Sequence, residues 1–385
     1  MNGRGNMKKE LLYIAPVIID YEKPNGVGKK VIGHCKVFES FFSTSLVSYG
    51  NSSIQVFYGP SGKLKTYNST PHTRRAELNS VVLEMVSEHN ISCIYVRYHL
   101  SDPGFIFTLR KIKRIRPNIT IAIEIPTFPY EGEFSTSVRD FIRKTSDHIC
   151  RSFLRKYVDR IVTYSADNEI FGISTIKTIN GVMTKDIIPV EHHEKDNINL
   201  ISVSVTSSVH GYDRVITGLR DYYSTYPKRR VMYHIVGNGD EIENYRKMVK
   251  EYGLENEVII YGFLSGEDLD NVYKVADIAV NSLGIHRRKL KTESTLKTKE
   301  YAAKGLPMIS SYPIDVLEGE EGSKYQMVFS ADDTPISINK IIEFYDSLYG
   351  STGDITQRIR SLAVERCDMS VTQSPIVEFF LKQVR

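Results

Sequence analysis

The sequence predicts an α/β protein made of two doubly wound, Rossmann-like domains, each a parallel sheet, facing each other across a cleft. Three observations predict it. Strand-like and helix-like hydrophobic periods alternate from one end of the chain to the other. The 385 residues suffice for two cores of just under 200 residues each. With 41% hydrophobic and 25% charged residues, the composition excludes a disordered, collagen-like or coiled-coil chain. A strand that alternates with helices must return by crossovers, which makes the sheets parallel.

The first strand is the apolar run Leu11–Val17. Val31, Cys35, Phe38, Phe42 and Leu46 then recur at helical spacing, which predicts a helix through Tyr49. Strands follow at Ile54–Tyr58, Ile91–Arg97, Ile119–Ile125, Arg160–Tyr164 and Thr175–Ile179. Helices are expected between them at Thr73–His89, Pro103–Arg116 and Thr136–Tyr157. The second half repeats the rhythm, with strands at Leu200–Val205, Val231–Val236, Glu257–Tyr261, Asp277–Asn281 and Pro307–Ser310. Its helices are expected at Tyr212–Tyr226, Glu241–Tyr252, Glu267–Lys274 and Thr295–Lys304. The polar, poorly periodic segment 182–198 reads as the hinge, dividing the chain into domains 1–190 and 191–370 with a C-terminal helix, 371–385, that crosses back.

Net charge is +4 but unevenly spread. Residues 1–190 carry 26 Lys and Arg against 17 Asp and Glu, while 191–385 carry 24 against 29. The basic half is expected to meet something anionic. No zinc-finger, RNA-recognition or basic-zipper pattern accompanies the charge, so nucleic acid is not expected as a partner. Basic residues recur at helical spacing in the first half, notably Arg139, Arg143, Arg151 and Arg155, which fits an anionic membrane surface or a solvated face. The four cysteines show no paired spacing, so a reducing, cytoplasmic setting is expected, with neither a disulfide framework nor a zinc site. The apolar run Leu11–Ile19 is too short to span a bilayer and reads as a strand rather than a leader.

In such sheets ligands bind outside the carboxyl ends of the strands. The segment His286–Pro307 is the most informative. Its helix has good N-cap candidates in Ser294 and Thr295, yet Lys297 and Lys299 occupy its first turn, where acidic residues are normally favoured. A bound diphosphate would resolve that conflict, and so would lysine heads in water. Glu300 lies one turn beyond Lys297, placed either to accept from ribose hydroxyls or to pair with the lysine. Gly26, Gly28 and Lys29 follow the first strand, as a phosphate- or sugar-approaching loop or as a tight turn into the helix. Arg97, Tyr98 and His99 emerge at one strand end and Glu124 at the next.

Leu296-Lys297-Thr298-Lys299-Glu300-Tyr301, followed by Gly305-Leu306-Pro307, resembles the signature of glycosyltransferase family 4, retaining nucleotide-sugar transferases of GT-B fold. The closest resemblance is to the bacterial branch that builds capsular, exopolysaccharide or lipopolysaccharide chains. Gly26-Val27-Gly28-Lys29, Ile123 to Tyr130, Phe171-Gly172, Ile179 to Val182, His210 to Arg214, Val236 to Gly239 and Tyr261-Gly262-Phe263 agree in order. The resemblance implies an acceptor-side first domain and a nucleotide-sugar-binding second domain. It implies His99, Lys297 and Glu300 as catalytic residues, and Arg97 and Glu124 on the acceptor side. It places the donor against Gly26, Gly28, Lys29, His210, Gly237, Phe263, Arg288, Glu293, Ser294, Thr295 and Leu296. The acceptor would be a saccharide, or one linked to polyprenyl diphosphate, met at the inner face of the cell membrane. No cofactor or metal is expected, because positive protein groups would stabilise the leaving diphosphate and no D-x-D pattern is present. Two positions depart from the family. Thr292 stands where its first glutamate does, with Glu293 one residue later, and His210 occupies the place of its lysine. A nucleotide-sugar 2-epimerase and a non-catalytic carbohydrate- or lipid-binding partner are the rival readings.

Overall fold

Leu11 to Ala15 run without a polar break, and in the computed structural model they form the buried middle of β1 (Glu10–Ile18). The structure describes residues 8–384 apart from 60, 61, 63, 131–136, 192–195, 226, 228, 291–293 and 351–353. The chain forms two compact units, Met1–Gly181 with Met369–Arg385, and Val182–Asp368. The division thus falls at 181/182, against the 190/191 read from the sequence.

In the first unit β1 is followed by α1 (Gly26–Glu39), β2 (Ser43–Tyr49), β3 (Ser53–Tyr58), β4 (Leu64–Asn68) and α2 (Arg74–Glu88). Then come β5 (Ile91–Arg97), α3 (Pro103–Ile115), β6 (Thr120–Ile125), α4 (Val138–Cys150), β7 (Arg160–Thr163), β8 (Glu169–Ile170) and β9 (Ile173–Lys177). The sheet order is β4-β3-β2-β1-β5-β6-β7-β9-β8. Strands β2, β1, β5, β6, β7 and β9 run parallel to one another, while β3 and β4 on one side and β8 on the other add antiparallel edges. The expectation of helix through Tyr49 is corrected. α1 stops at Glu39, and Ser43–Tyr49 forms β2. Ser43, Thr44, Ser45 and Ser48 offer local hydrogen bonds that compete with a helix, and Leu46 and Val47 bury themselves in the sheet instead.

The second unit holds β10 (Asn197–Val203), α5 (Tyr212–Tyr223), β11 (Arg230–Val236), α6 (Ile242–Glu251), β12 (Val258–Gly262), α7 (Gly266–Tyr273) and β13 (Ile278–Val280). α8 (Leu296–Lys304), β14 (Met308–Ser310), α9 (Gly319–Ser323), β15 (Gln326–Val328), α10 (Ile338–Tyr349) and α11 (Ile355–Cys367) complete it. Its sheet is parallel throughout, in the order β12-β11-β10-β13-β14-β15. The order reverses between β10 and β13, which is where an open α/β sheet leaves its ligand crevice. The last helix, α12 (Met369–Gln383), packs in the first unit, where buried Phe380 meets the rings of Phe42 and Tyr95 at 6.3 and 6.5 Å.

Candidate functional site

At the strand reversal of the second unit, the loops after β10 and β13 are stitched backbone to backbone. Leu283 N donates to His210 O at 2.8 Å and Gly284 N to Val209 O at 3.0 Å. That closeness demands glycine. Gly211 has φ +62, and a Cβ there would stand 2.7 Å from Gly284 N. After β11, Gly237 has φ +127, and its Cβ would stand 1.8 Å from Ser204 O. Phe263, just past β12, projects largely into solvent at the same carboxyl edge.

α8 begins at this edge. Its N-cap, Thr295, makes no side-chain cap bond and its first turn holds no acidic residue, so its leading amides keep their partial positive charge. Ser294 Oγ instead donates to Asp315 Oδ2 at 2.7 Å. Lys297, half-buried, reaches back to Ser282 Oγ at 3.0 Å and lies 5.7 Å above the Tyr212 ring. His210 sits beside it. Burial pulls that imidazole down to about 3, with Lys297 and then Arg288 adding to the shift. Nδ1 of this neutral ring accepts from Ser207 N at 3.0 Å, so the proton is on Nε2. Two of the residues singled out from the sequence, His210 and Lys297, are therefore brought together against the Tyr212 ring, while Arg288 is exposed and acts on the imidazole through its charge. Leu296 and Glu300 are half-buried in α8, while Glu293 lies outside the described residues.

Two cations of this segment are committed to carboxylates of the second unit. Lys299 is fully buried and ion-paired with Asp315. Arg287 is clamped by Asp213 at 2.7 Å and by Asp333 at 2.7 Å. The clamp ties the loop after β13 to the first turn of α5, so it braces the neighbourhood of Lys297 and Arg288.

In the first unit, Gly26 and Gly28 open α1, and the Asn25 side chain accepts from Gly28 N at 2.8 Å. The helix start is thus capped by its own chain, with Lys29 exposed. The residue that turns inward is Lys30, which the sequence reading passed over. Its ammonium meets Glu124 Oε1 at 2.6 Å, Tyr164 Oη at 2.7 Å and Asn180 Oδ1 at 2.7 Å. A helical wheel through Lys30, His34 and Phe38, spaced by four, carries the missed signal. Glu124 is 0% exposed. Its Oε1 also takes Arg97 at 3.4 Å and Tyr164 at 2.5 Å, and Oε2 takes Tyr13 at 3.4 Å. Burial alone would raise this carboxyl, but the Lys30 ammonium and Arg97 guanidinium outweigh it and hold the group well below the usual carboxylate range. In this structure the Glu124 oxygens serve an internal charge cluster that positions Arg97. His99 follows β5 with both ring nitrogens shielded from solvent and its ring edge-on to Phe105 at 5.3 Å. Burial brings its pKa down to about 3, so it is neutral. The next residue, Leu100, holds a left-handed φ of +75, and its carbonyl is pinned by Arg75 at 2.6 Å.

The whole chain aligns with solved structures. Against HepE of Anabaena in complex with UDP, the TM-score is 0.68 at 14% identity, covering 97% of this chain and 100% of that one. Against a glycosyltransferase from Rickettsia africae it is 0.66 at 11% identity, covering 98% and 99%. The sucrose-phosphate synthase of Thermosynechococcus elongatus gives 0.66 at 13% identity, covering 98% and 99%. The fold is GT-B. Within this GT-B chain, residues 183–292 match the model of glycosyl transferases group 1, a segment that ends just before α8. No curated protein sequence matches the chain significantly. Among the described residues of the GT-B units, no group of three or more His, Cys, Asp or Glu side chains is placed to hold a metal ion, and no helix is long and apolar enough to cross a membrane.

Proposed function

We propose that this protein is a glycosyltransferase that moves a sugar from a nucleotide diphosphate donor to a hydroxyl of a saccharide acceptor, with retention at the anomeric carbon. The observation that carries the reading is Lys297 at the open start of α8, beside His210 and Arg288, at the strand reversal of the second unit. The glycosyl transferases group 1 match and the solved glycosyltransferase neighbours support it.

The chemical difficulty is the departure of the nucleoside diphosphate, which gains a third negative charge as positive charge builds on the sugar. Lys297 and Arg288 supply fixed positive charge, the first amides of α8 add their dipoles, and neutral His210 offers its Nε2 proton to a phosphate oxygen. Lys297 and His210 are held before the substrate arrives, by Ser282 and Ser207 respectively, so these two need little reorganisation. Glu300, one turn further along α8, is proposed to accept from the ribose hydroxyls. Attack comes from the face the diphosphate leaves, and the departing phosphate takes the acceptor's proton. The charge is met by the chain's own groups, without a metal or cofactor.

The proposed place of action belongs to family 4 and its bacterial surface-polysaccharide branch. The acceptor is a saccharide, free or lipid-linked, on the cytoplasmic face of the membrane, which the basic first unit touches peripherally. The experiment is a panel of nucleotide sugars screened by thermal shift, followed by product analysis with saccharide acceptors. A selective donor should raise the melting temperature and yield a glycoside of unchanged anomeric configuration. An epimerised sugar formed without acceptor, or no turnover of any donor bound, would overturn the proposal.

A further inference from the structure

Helix α4 is built inside out. The residues it buries are Asp147 and Cys150, while Val138, Phe141, Ile142 and Ile149 are 76%, 70%, 61% and 59% exposed. At about 100° per residue, these four and Thr145 fall within an arc of about 100°, centred opposite Asp147. The orientation is locked. Buried Asp147 accepts from Tyr98 Oη at 2.5 Å, Ser101 N at 2.6 Å and Tyr130 Oη at 2.6 Å. Rolling the helix to hide its apolar stripe would break all three bonds and expose a set of tyrosines, so the fold spends its internal polar contacts on keeping the stripe outside.

Charge selects the partner. Arg139 borders the stripe on one side and Lys144 on the other, with Arg143 a further step round beyond Arg139, all exposed. The following turn, Arg151–Lys156, adds exposed Phe153 between further cations, with the Lys156 ammonium 5.4 Å above the Phe153 ring. Asp140, the other carboxylate of α4, is half-buried and paired with Arg143 at 3.2 Å. On α3, which packs beside α4, exposed Phe107 lies under Lys111 at 4.6 Å. Apolar side chains flanked by long cations match the boundary between acyl chains and anionic headgroups, where the stems of Lys and Arg lie along hydrocarbon and their heads reach phosphate. Thirteen residues of helix make about 20 Å, short of the roughly 30 Å hydrocarbon core, so the helix lies in the surface plane rather than crossing it.

We infer that α4 is the segment that seats this protein on an anionic bilayer, with Phe141, Ile142 and Ile149 inserted among the acyl chains and Arg139, Arg143 and Lys144 at phosphate level. The inference rests on the peripheral-contact part of the proposed function and gives that contact its residues; it does not rest on the transfer reaction.

The test is co-sedimentation of the full chain with vesicles of phosphatidylglycerol mixed with phosphatidylcholine, against phosphatidylcholine alone. The unaltered protein should sediment with the anionic vesicles and be released by salt. Phe141→Ser with Ile142→Ser should weaken the partition at least about tenfold, and Arg139→Ala, Arg143→Ala and Lys144→Ala by roughly fivefold per cation removed. The serine variant should keep its melting temperature and its UDP affinity, because the exposed side chains support neither the core nor the donor site. Equal sedimentation of the serine variant, or no sedimentation of the unaltered chain, would overturn the inference. So would a vesicle-free dimer that the serine variant converts to monomer, since α4 would then cover a second copy. Loss of UDP binding with vesicle binding intact would sink the transferase reading and leave this inference standing.

Discussion

Replacing Glu124 by glutamine keeps the volume of the side chain and one carbonyl oxygen but removes its charge. Around it stand two cations and two phenols, and of the cations Lys30 is 2.6 Å and Arg97 3.4 Å away. At an effective dielectric of about 20, those separations give attractions of roughly 6 and 5 kcal/mol, most of which repays the desolvation of three buried charges. Removing the anion leaves two like charges with no counterion, a situation that costs about 3–5 kcal/mol. Lys30→Met removes one cation instead, so Glu124 and Arg97 remain as a neutral pair and the methionine fills the space of the lysine stem. Its cost should be smaller, about 1–2 kcal/mol, because Tyr164 and Asn180 each lose a hydrogen-bond donor. The assay is urea unfolding of both variants followed by fluorescence and circular dichroism. A Lys30→Met variant less stable than Glu124→Gln would refute the reasoning, because it would mean that the excess positive charge is not what Glu124 is there to neutralise.

Acid should destabilise the fold well before its carboxylates titrate. His34, His99 and His210 are each pulled by burial to about 3, so they stay neutral in the fold while the unfolded chain takes up protons near 6.5. Their contribution is complete above about pH 6.5 and is lost as pH falls toward 3, at about 1.4 kcal/mol per group per pH unit; a urea midpoint that stays level or rises from about pH 7 to about pH 5 contradicts this. Gly237→Ala should lower stability by about 2–5 kcal/mol, since its Cβ would collide with Ser204 O at 1.8 Å and its φ is +127. Gly253→Ala, at φ +66 with no atom within 4 Å of the new Cβ, should cost only about 1 kcal/mol, and equal melting temperatures for the two would remove steric closeness as the cause.

The alternation of apolar periods was enough to read most strands of both sheets, because parallel strands buried on both faces, such as Ile121–Ile123 and Leu200–Ile201, carry uninterrupted apolar runs. β2 escaped because Phe42 and Leu46 extend a helical spacing by coincidence, while pairing with β1 and β3 decides the conformation. The small elements α9 and β15 and the helices α10 and α11, which close the second unit, were not read from the sequence at all. At the site, the sequence pointed to Lys297 through a local conflict, basic residues at a helix start, and to His210 through the family resemblance, and the structure shows that first turn of α8 without an acidic residue. It did not separate the lysines, because whether Lys29 or Lys30, Lys297 or Lys299, turns inward depends on partners such as Glu124 and Asp315 that are distant in sequence. The polarity of α4 misleads in the same way: its arginines were legible, and its outward phenylalanine and isoleucines were not, because a burial pattern running against the hydrophobic period is set by Tyr98, Ser101 and Tyr130.

The most direct measurement is calorimetric titration of UDP into the unaltered protein and into Lys297→Ala, with the melting temperature of each recorded alongside. A charge-assisted contact of about 1.5–3 kcal/mol should vanish with the ammonium, weakening UDP roughly 10- to 150-fold, while the fold, in which half-buried Lys297 meets Ser282 and the Tyr212 face, melts close to where it did before. Unchanged UDP affinity in the alanine variant, or no binding by the unaltered chain, would show that the cationic start of α8 does not hold a diphosphate.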